Sequence, residues 1–205
     1  MKPIKTLAGP AAALPFANVD TDQIIPARFM SRSRADGYGD QCFHDMRFDQ
    51  DGAARADFPL NALPEGPTVL VADDNFGCGS SREAAVYALL DYGVSAVIAP
   101  SFADIFRSNS GKNGLLTIAL PPATVQALLA KLAEAPGTPA QVDLPAQRVT
   151  IGNEAFDFEI DPRLKHRLEN GLDDLSATLQ DADQIEAFEA SYFGARPWIR
   201  PRKAG

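Results

Sequence analysis

Residues 68–92 read TVLVADDNFGCGSSREAAVYALLDY, and the pattern changes character twice within them. TVLVA at 68–72 is a short apolar run with β-branched residues, as found in a strand buried on both faces of a sheet. Over 82–92, Ala85, Ala88, Leu89 and Tyr92 recur at helical spacing and form one apolar stripe, which predicts a helix. Between the two lies DDNFGCGSS at 73–81, polar and punctuated by glycine. The loop therefore joins the carboxyl end of a strand to the amino end of a helix, which is where open α/β sheets bind their ligands.

The same alternation continues downstream. SAVIAP at 95–100 predicts a second buried strand, Ser101 the cap of a short helix through Phe106, and 115–120 a third strand. That order implies right-handed βαβ crossovers in a largely parallel sheet. Pro122 stands in the first turn of a helix running to about Glu134, and the prolines of 136–139 break it. The runs 141–144 and 148–160 predict an antiparallel addition. Two helices follow at 162–169 and 183–193, the first stopped by Asn170 and Gly171. Upstream, the proline-rich segment 59–67 separates an irregular first quarter, 1–67, from the α/β body, 68–160, with 161–205 supplying the C-terminal helices of a single domain.

The 205 residues are 45% hydrophobic and 22% charged, enough to bury a core and unlike a disordered chain. A net charge of -8 argues against nucleic acid, whose phosphates call for a basic face. No apolar run reaches the roughly 18 residues of a membrane span. Residues 1–14 lack the basic-then-apolar order of a leader, so a cytoplasmic location is expected. Cys42 and Cys78 lie in different segments, and with His44 and His166 they give neither CxxC nor HxxxH spacing; no cofactor or metal is expected in this chain.

DNFGCGSSRE at 74–83 combines the parts of an anion site. Gly77 and Gly79 allow close backbone approach, Ser80 and Ser81 offer hydroxyls, and Arg82 offers a planar fork suited to a carboxylate, with free N–H groups at the helix start. A plain helix cap with a surface arginine fits the spacing equally well. GxxxxGK[ST] and GxGxxG are both absent, so nucleotide binding is a poor reading. NVDTDQIIP at 18–26 sets Asp20 and Asp22 on either side of Thr21, and taken alone it favours a structural turn over a site. RSNSGKNG at 107–114 is polar and reads as a solvated loop, with Asn109 or Lys112 as candidates for the same rim.

NVDTDQIIP and DNFGCGSSRE, followed by LLDYGVSAVIAPSFADIF at 89–106, KNGLL at 112–116, NGLDDLSATLQ at 170–180 and PW at 197–198, together resemble the small subunit of 3-isopropylmalate dehydratase. That family is related to the swivelling fourth domain of aconitase, and the resemblance covers about residues 5–199. It implies a swivelling β/β/α domain with a mostly parallel sheet and additional C-terminal helices. It also implies a hydro-lyase that moves a hydroxyl between neighbouring carbons of a hydroxy acid, isomerising 2- and 3-isopropylmalate in leucine biosynthesis. By the same carry-over Ser80 is the base, Arg82 and Ser81 hold a substrate carboxylate beside Gly77 and Gly79, and Asp22, the second catalytic candidate, joins the hydrogen-bond network at the domain interface. The implied partner is that large subunit, whose three cysteines hold a [4Fe-4S] cluster with one open iron as Lewis acid. The substrate is a small dicarboxylate or tricarboxylate hydroxy acid.

SRSRADGYG at 31–39 aligns with the loop that reads the substrate's side group in the family, making Arg32 and Arg34 substrate-binding candidates. The chain departs from the family at 84–87, where AAVY replaces the usual His-Ala-Pro-Trp, and again within 107–111. A related hydro-lyase with another malate- or citrate-type substrate, or a noncatalytic regulatory relic of the fold, remains an open alternative.

Overall fold

In the computed structural model, which describes residues 1–31, 33–63 and 66–199, the apolar runs form strands close to their expected bounds. In chain order the strands are β1 (Thr6–Leu14), β2 (Val69–Ala72), β3 (Ala96–Ala99), β4 (Leu116–Ala119), β5 (Thr138–Asp143), β6 (Arg148–Ile151) and β7 (Glu154–Asp157). They make one sheet in the order β4-β3-β2-β1-β5-β6-β7. β1 to β4 run parallel, and β5 to β7 extend the sheet antiparallel from the other side of β1. The segment 148–160 is thus two strands, folded back at Gly152.

Eight α-helices complete the described residues: α1 (Thr21–Ile24), α2 (His44–Arg47), α3 (Glu83–Asp91), α4 (Asp104–Asn113), α5 (Pro122–Glu134), α6 (Pro162–Asn170), α7 (Asp174–Leu179) and α8 (Ala182–Ala195). The strands deal their side chains alternately to two cores, as the two-residue period of a strand requires. Leu70, Ala72, Val97 and Ala99 join Ala85 and Leu89 of α3 on one face, while Val69, Val71, Ala96 and Ile98 join Val125 and Leu128 of α5 on the other. Both faces of the parallel strands are therefore covered, which explains their unbroken apolarity.

Three expectations are corrected. The first quarter is not irregular throughout, because β1 is the middle strand of the sheet. Its sequence TLAGPAAAL has Thr6 as its sole β-branched residue and a proline inside, so strand propensity gives no sign of it. Packing overrides propensity here: Ala11, Ala12 and Ala13 are at most 4% exposed, and α5 lies against the strand. Ser101 caps nothing. The chain stays extended through a parallel bridge of Phe76 with Phe102, so α4 begins at Asp104 with Ala103 as its cap residue, while Ser101 Oγ donates to Asp74 at 2.5 Å. Nor is 107–114 a loop: α4 runs through it to Asn113. Poor helix formers conceal it in the sequence, and Gly111 is needed for packing, since a Cβ there would lie 2.6 Å from Leu164 Cδ1 of α6.

By its internal contacts the chain divides into two compact units, 1–171 and 172–205. The first contains the sheet and α6, which Gly171 ends in the left-handed conformation as expected, at φ +66°. The second contains α7, a helix not foreseen in the sequence, capped by Asp173 through Ser176 N–H, and α8.

Candidate active site

Beyond the carboxyl ends of β1 and β2 the chain stays paired, 18–22 against 74–82. Asn18 N–H donates to the Asp74 carbonyl at 2.8 Å, Asn75 Nδ2 to Asn18 Oδ1 at 2.8 Å, and Gly77 N–H to the Val19 carbonyl at 2.8 Å. Asp20 and Cys78 form a parallel bridge. Thr21 N–H donates to the Cys78 carbonyl at 2.9 Å and Thr21 Oγ1 to the Ser80 carbonyl at 2.8 Å, and Asp22 pairs with Arg82 Nη1. Two stretches that the sequence separates by more than 50 residues thus run side by side, and alternate residues Cys78, Ser80 and Arg82 each meet 21 or 22.

The third parallel strand adds a wall. After β3 the chain passes through Phe102 into α4, and Phe106 packs edge-on to Phe76 with ring centroids 5.4 Å apart. Gly77 lies directly beneath that ring: its φ is +77°, and a Cβ would lie 2.2 Å from Phe106 Cγ. Both features demand glycine. Thr21, Gly77, Gly79, Ser80, Ser81 and Arg82 line a cavity of about 270 Å³ closed on its other side by Ala103, Asp104, Ile105 and Phe106. Ser80 and Ser81 are exposed at it.

Capping does not account for these residues. α3 begins at Glu83, its cap residue is Arg82, and the Arg82 side chain makes no cap hydrogen bond. Its amino terminus, where Ala85 N–H turns back to the Arg82 carbonyl at 3.2 Å, keeps its positive dipole character next to the serines. Asp22 carries the compensating charge. The hydrogen bond from Arg82 holds its carboxyl below the usual carboxylate range, with a lesser contribution from Ala27 N–H, so Asp22 is ionised at neutral pH and poorly suited to take up a proton there. NVDTDQIIP is at the same time a capped turn, with Asp20 accepting from Gln23 N–H and Gln23 Oε1 accepting from Asp20 N–H at 2.9 Å. The turn reading is thus realised, and the same segment sets Asp22 against Arg82.

Other candidates lie apart. Arg34 bonds Asp91 through two nitrogens, at 2.7 and 3.1 Å, stacks 4.2 Å from the Tyr87 ring, and lines a different cavity with Gly37, Gly39 and Asp40. Arg32 lies outside the described residues. Lys112 lines a cleft between α4 and α6, and Asn109 offers its carbonyl to Asn113, whose amide reaches Glu83 at 2.6 Å. Cys78 Sγ donates to the Asn18 carbonyl at 3.3 Å, and burial, followed by the Asp20 charge, pushes its thiol up, away from nucleophile or ligand behaviour. Cys42 is fully buried. Among the described residues no group of three or more His, Cys, Asp or Glu is placed to hold a metal ion, so their side chains do not fit an iron-sulfur cluster. No motif in the sequence marks Ile105 or Phe106 as cavity residues, and Thr21 carries no signal of its own between two carboxylates.

Comparison with known proteins agrees with this arrangement. The family model for the aconitase C-terminal domain matches residues 1–123, one described as LeuD_N matches 126–162, and that for the C-terminal domain of the 3-isopropylmalate dehydratase small subunit matches 174–202. The small subunit of 3-isopropylmalate dehydratase from Rhodospirillum centenum is 47% identical over 97% of this chain and 98% of its own. The same subunit from Roseobacter denitrificans is 46% identical over 97% and 100%. This chain belongs to the 3-isopropylmalate dehydratase small-subunit family. The fold agrees as well: the crystal structure of a 3-isopropylmalate dehydratase from Methanocaldococcus jannaschii superposes with a TM-score of 0.63 at 29% identity, covering 90% of this chain and 99% of that one. The family's mixed α/β fold is the one described above, and no helix among the described residues is long and apolar enough to cross a membrane.

Proposed function

We propose that this chain is the small subunit of 3-isopropylmalate dehydratase, contributing the base and the carboxylate clamp of a dehydration and rehydration to a site completed by its large subunit. The observation that carries this reading is the pairing of 18–22 with 74–82, which sets Ser80, Ser81 and Arg82 on one cavity.

The reaction removes a proton from the carbon beside a carboxylate and a hydroxide from its neighbour. Both steps are difficult in water, because the proton is weakly acidic and hydroxide leaves poorly. Ser80 Oγ takes the proton. A serine hydroxyl is far too weak an acid to be ionised unaided, and its alkoxide is favoured here by the uncapped amino end of α3 and the loop amides around it. Arg82, with Nη1 on Asp22, turns the rest of its fork toward a substrate carboxylate, and Ser81 completes that grip. Asp22 fixes the guanidinium rather than moving a proton. The loop at 31–39, with Arg32 and Arg34, serves the substrate's side group, which would require Arg34 to exchange Asp91 for substrate. The large subunit brings the [4Fe-4S] cluster as Lewis acid. The chain works as one swivelling domain over 1–205, in the cytoplasm, beside that partner.

The test uses the enzyme assembled anaerobically with its large subunit. Ser80→Ala is expected to lower kcat by about 10²–10⁴-fold with KM little changed, as loss of a base acting only in the transition state requires. Arg82→Lys keeps the charge but loses the fork, and mainly raises KM. Near-normal turnover by Ser80→Ala would remove the base from the scheme.

A further inference from the structure

We infer that Thr21 is a positioning residue of this site, its hydroxyl fixing the orientation of the peptide that joins Ser80 to Ser81; the inference rests on the dehydratase reading above. Thr21 is 2% exposed, one of few buried polar side chains among the described residues, and it lines the same cavity as the serines. Its Oγ1 donates to the Ser80 carbonyl at 2.8 Å, and its N–H donates to the Cys78 carbonyl at 2.9 Å. Threonine is stiff at χ1, and the reciprocal Asp20–Gln23 bonds fix the turn from which it projects. The donor is thus held rigidly from its own side.

The acceptor is not. Gly79, Ser80 and Ser81 are all exposed, and Gly79 has φ +90°, so little packing resists rotation of the peptides that follow it. All described peptide bonds are trans, so the Ser81 N–H points opposite to the Ser80 carbonyl. Holding that oxygen on Thr21 therefore turns the amide proton away from Thr21 and keeps the oxygen's negative end committed. A released peptide could rotate and present the oxygen beside Ser80 Oγ. There it would oppose both the alkoxide and an incoming carboxylate, and the dipole that favours the base would be lost. With its hydroxyl proton committed to the Ser80 carbonyl, Thr21 acts through Ser80 and Ser81.

Thr21→Val keeps shape and burial while deleting the donor, and Thr21→Ser keeps the donor while deleting a methyl group. In the assembled dehydratase, Thr21→Val is expected to lower kcat by about tenfold or more with KM within about twofold, and Thr21→Ser to restore kcat to within about threefold of the parent. A merely structural residue would show the reverse: a lower melting temperature with turnover per assembled enzyme unchanged. That outcome overturns the inference, as does equal loss in the valine and serine variants. Thr21→Ala provides the same deletion without branching should valine fail to assemble. If neither assembles, the hydroxyl serves folding rather than positioning and the inference falls. An inactive parent enzyme would break the dehydratase reading itself, whereas an active parent with an unaffected Thr21→Val breaks only the role of Thr21.

Discussion

In β2, β3 and β4 every residue is buried except the last of β4, whereas β5 and β6 alternate between covered and more exposed positions and β7 is exposed but for Phe156. The difference follows from direction. Parallel strands need long crossovers, and those crossovers place helices over both faces and gather all the strands' carboxyl ends at one edge. The antiparallel strands join through short turns such as that at Gly152, and their ends leave the sheet in opposite directions. The ends of β1, β2 and β3 therefore converge on one cavity lined by serines and Arg82, whereas the hollow on the antiparallel half, lined by Ala8, Pro139, Gln141, Thr150 and Gly152 among others, gathers no charged side chain. On the function proposed above, one half carries the chemistry and the other completes the scaffold behind it.

Two glycines with similar backbones put that division to its most severe test. Gly77 and Gly152 both have positive φ, +77° and +59°, but a Cβ at Gly77 would lie 2.2 Å from the Phe106 ring and one at Gly152 would lie 3.3 Å from Thr138 Cγ2. Gly77→Val adds a branched side chain to a forbidden conformation against an aromatic wall, and is expected to cost about 4 kcal/mol or more and to yield little folded protein. Gly152→Ala is expected to cost about 1–2 kcal/mol, read as a lower urea midpoint, with kcat of the assembled enzyme unchanged. Turnover lost in the Gly152 variant would mean that the antiparallel half is not mere scaffold.

Legibility in the sequence follows the same division. β2, β3, β4 and α5 could be read because each strand must be apolar on both faces and α5 carries one stripe with a proline at its start. β1 could not, since alanine is chosen there for what packs on it and not for strand preference. The helix over 107–113 was masked by the poor helix formers Ser108, Ser110 and Gly111, and the compactness of Gly111 answers to Leu164 of α6, some 50 residues away. Within the site, Ser80 and Arg82 stood out as parts of an anion-binding motif, while Asp22, whose segment alone reads as a turn, was pointed to by the family resemblance. Thr21, Ile105 and Phe106 were not, because their place at the cavity depends on how three loops meet.

A smaller effect isolates the role of Asp22. Asp22→Asn keeps the bulk and the turn while removing the charge that holds Arg82, so kcat/KM is expected to fall by about tenfold or more with melting temperature nearly unchanged near neutral pH, because a half-exposed pair adds little stability. The acid side gives a second readout. The Asp22 carboxyl lies below its ordinary value of 3.8 in the folded chain, so its contribution is fully present above that value and is lost as pH falls through the lower folded one. The parent should therefore lose a small increment of stability below about pH 4 that the variant lacks. A variant that melts far lower at neutral pH, yet turns over normally, would make Asp22 a turn residue only.

The least effect is expected at the corresponding pair in the antiparallel half. Arg148 and Asp157 face each other across β6 and β7 with Nε donating to Oδ1 at 2.7 Å, and Arg148 lowers the Asp157 carboxyl just as Arg82 lowers that of Asp22. The two pairs share a charge pattern and a direction of shift. They differ in setting: the Arg148 side chain is 57% exposed where that of Arg82 is 18%, and Arg148 lines none of the cavities described above. Water and salt screen the outer pair, and holding two mobile side chains together costs rotamer freedom that offsets the attraction. Arg148→Gln is accordingly expected to leave melting temperature, kcat and assembly with the large subunit unchanged within error, from low salt to about 0.5 M. Assembly measured by gel filtration is the discriminating readout. Should Arg148→Gln weaken it, the β6-β7 edge would belong to the subunit interface, and function would extend beyond the parallel half.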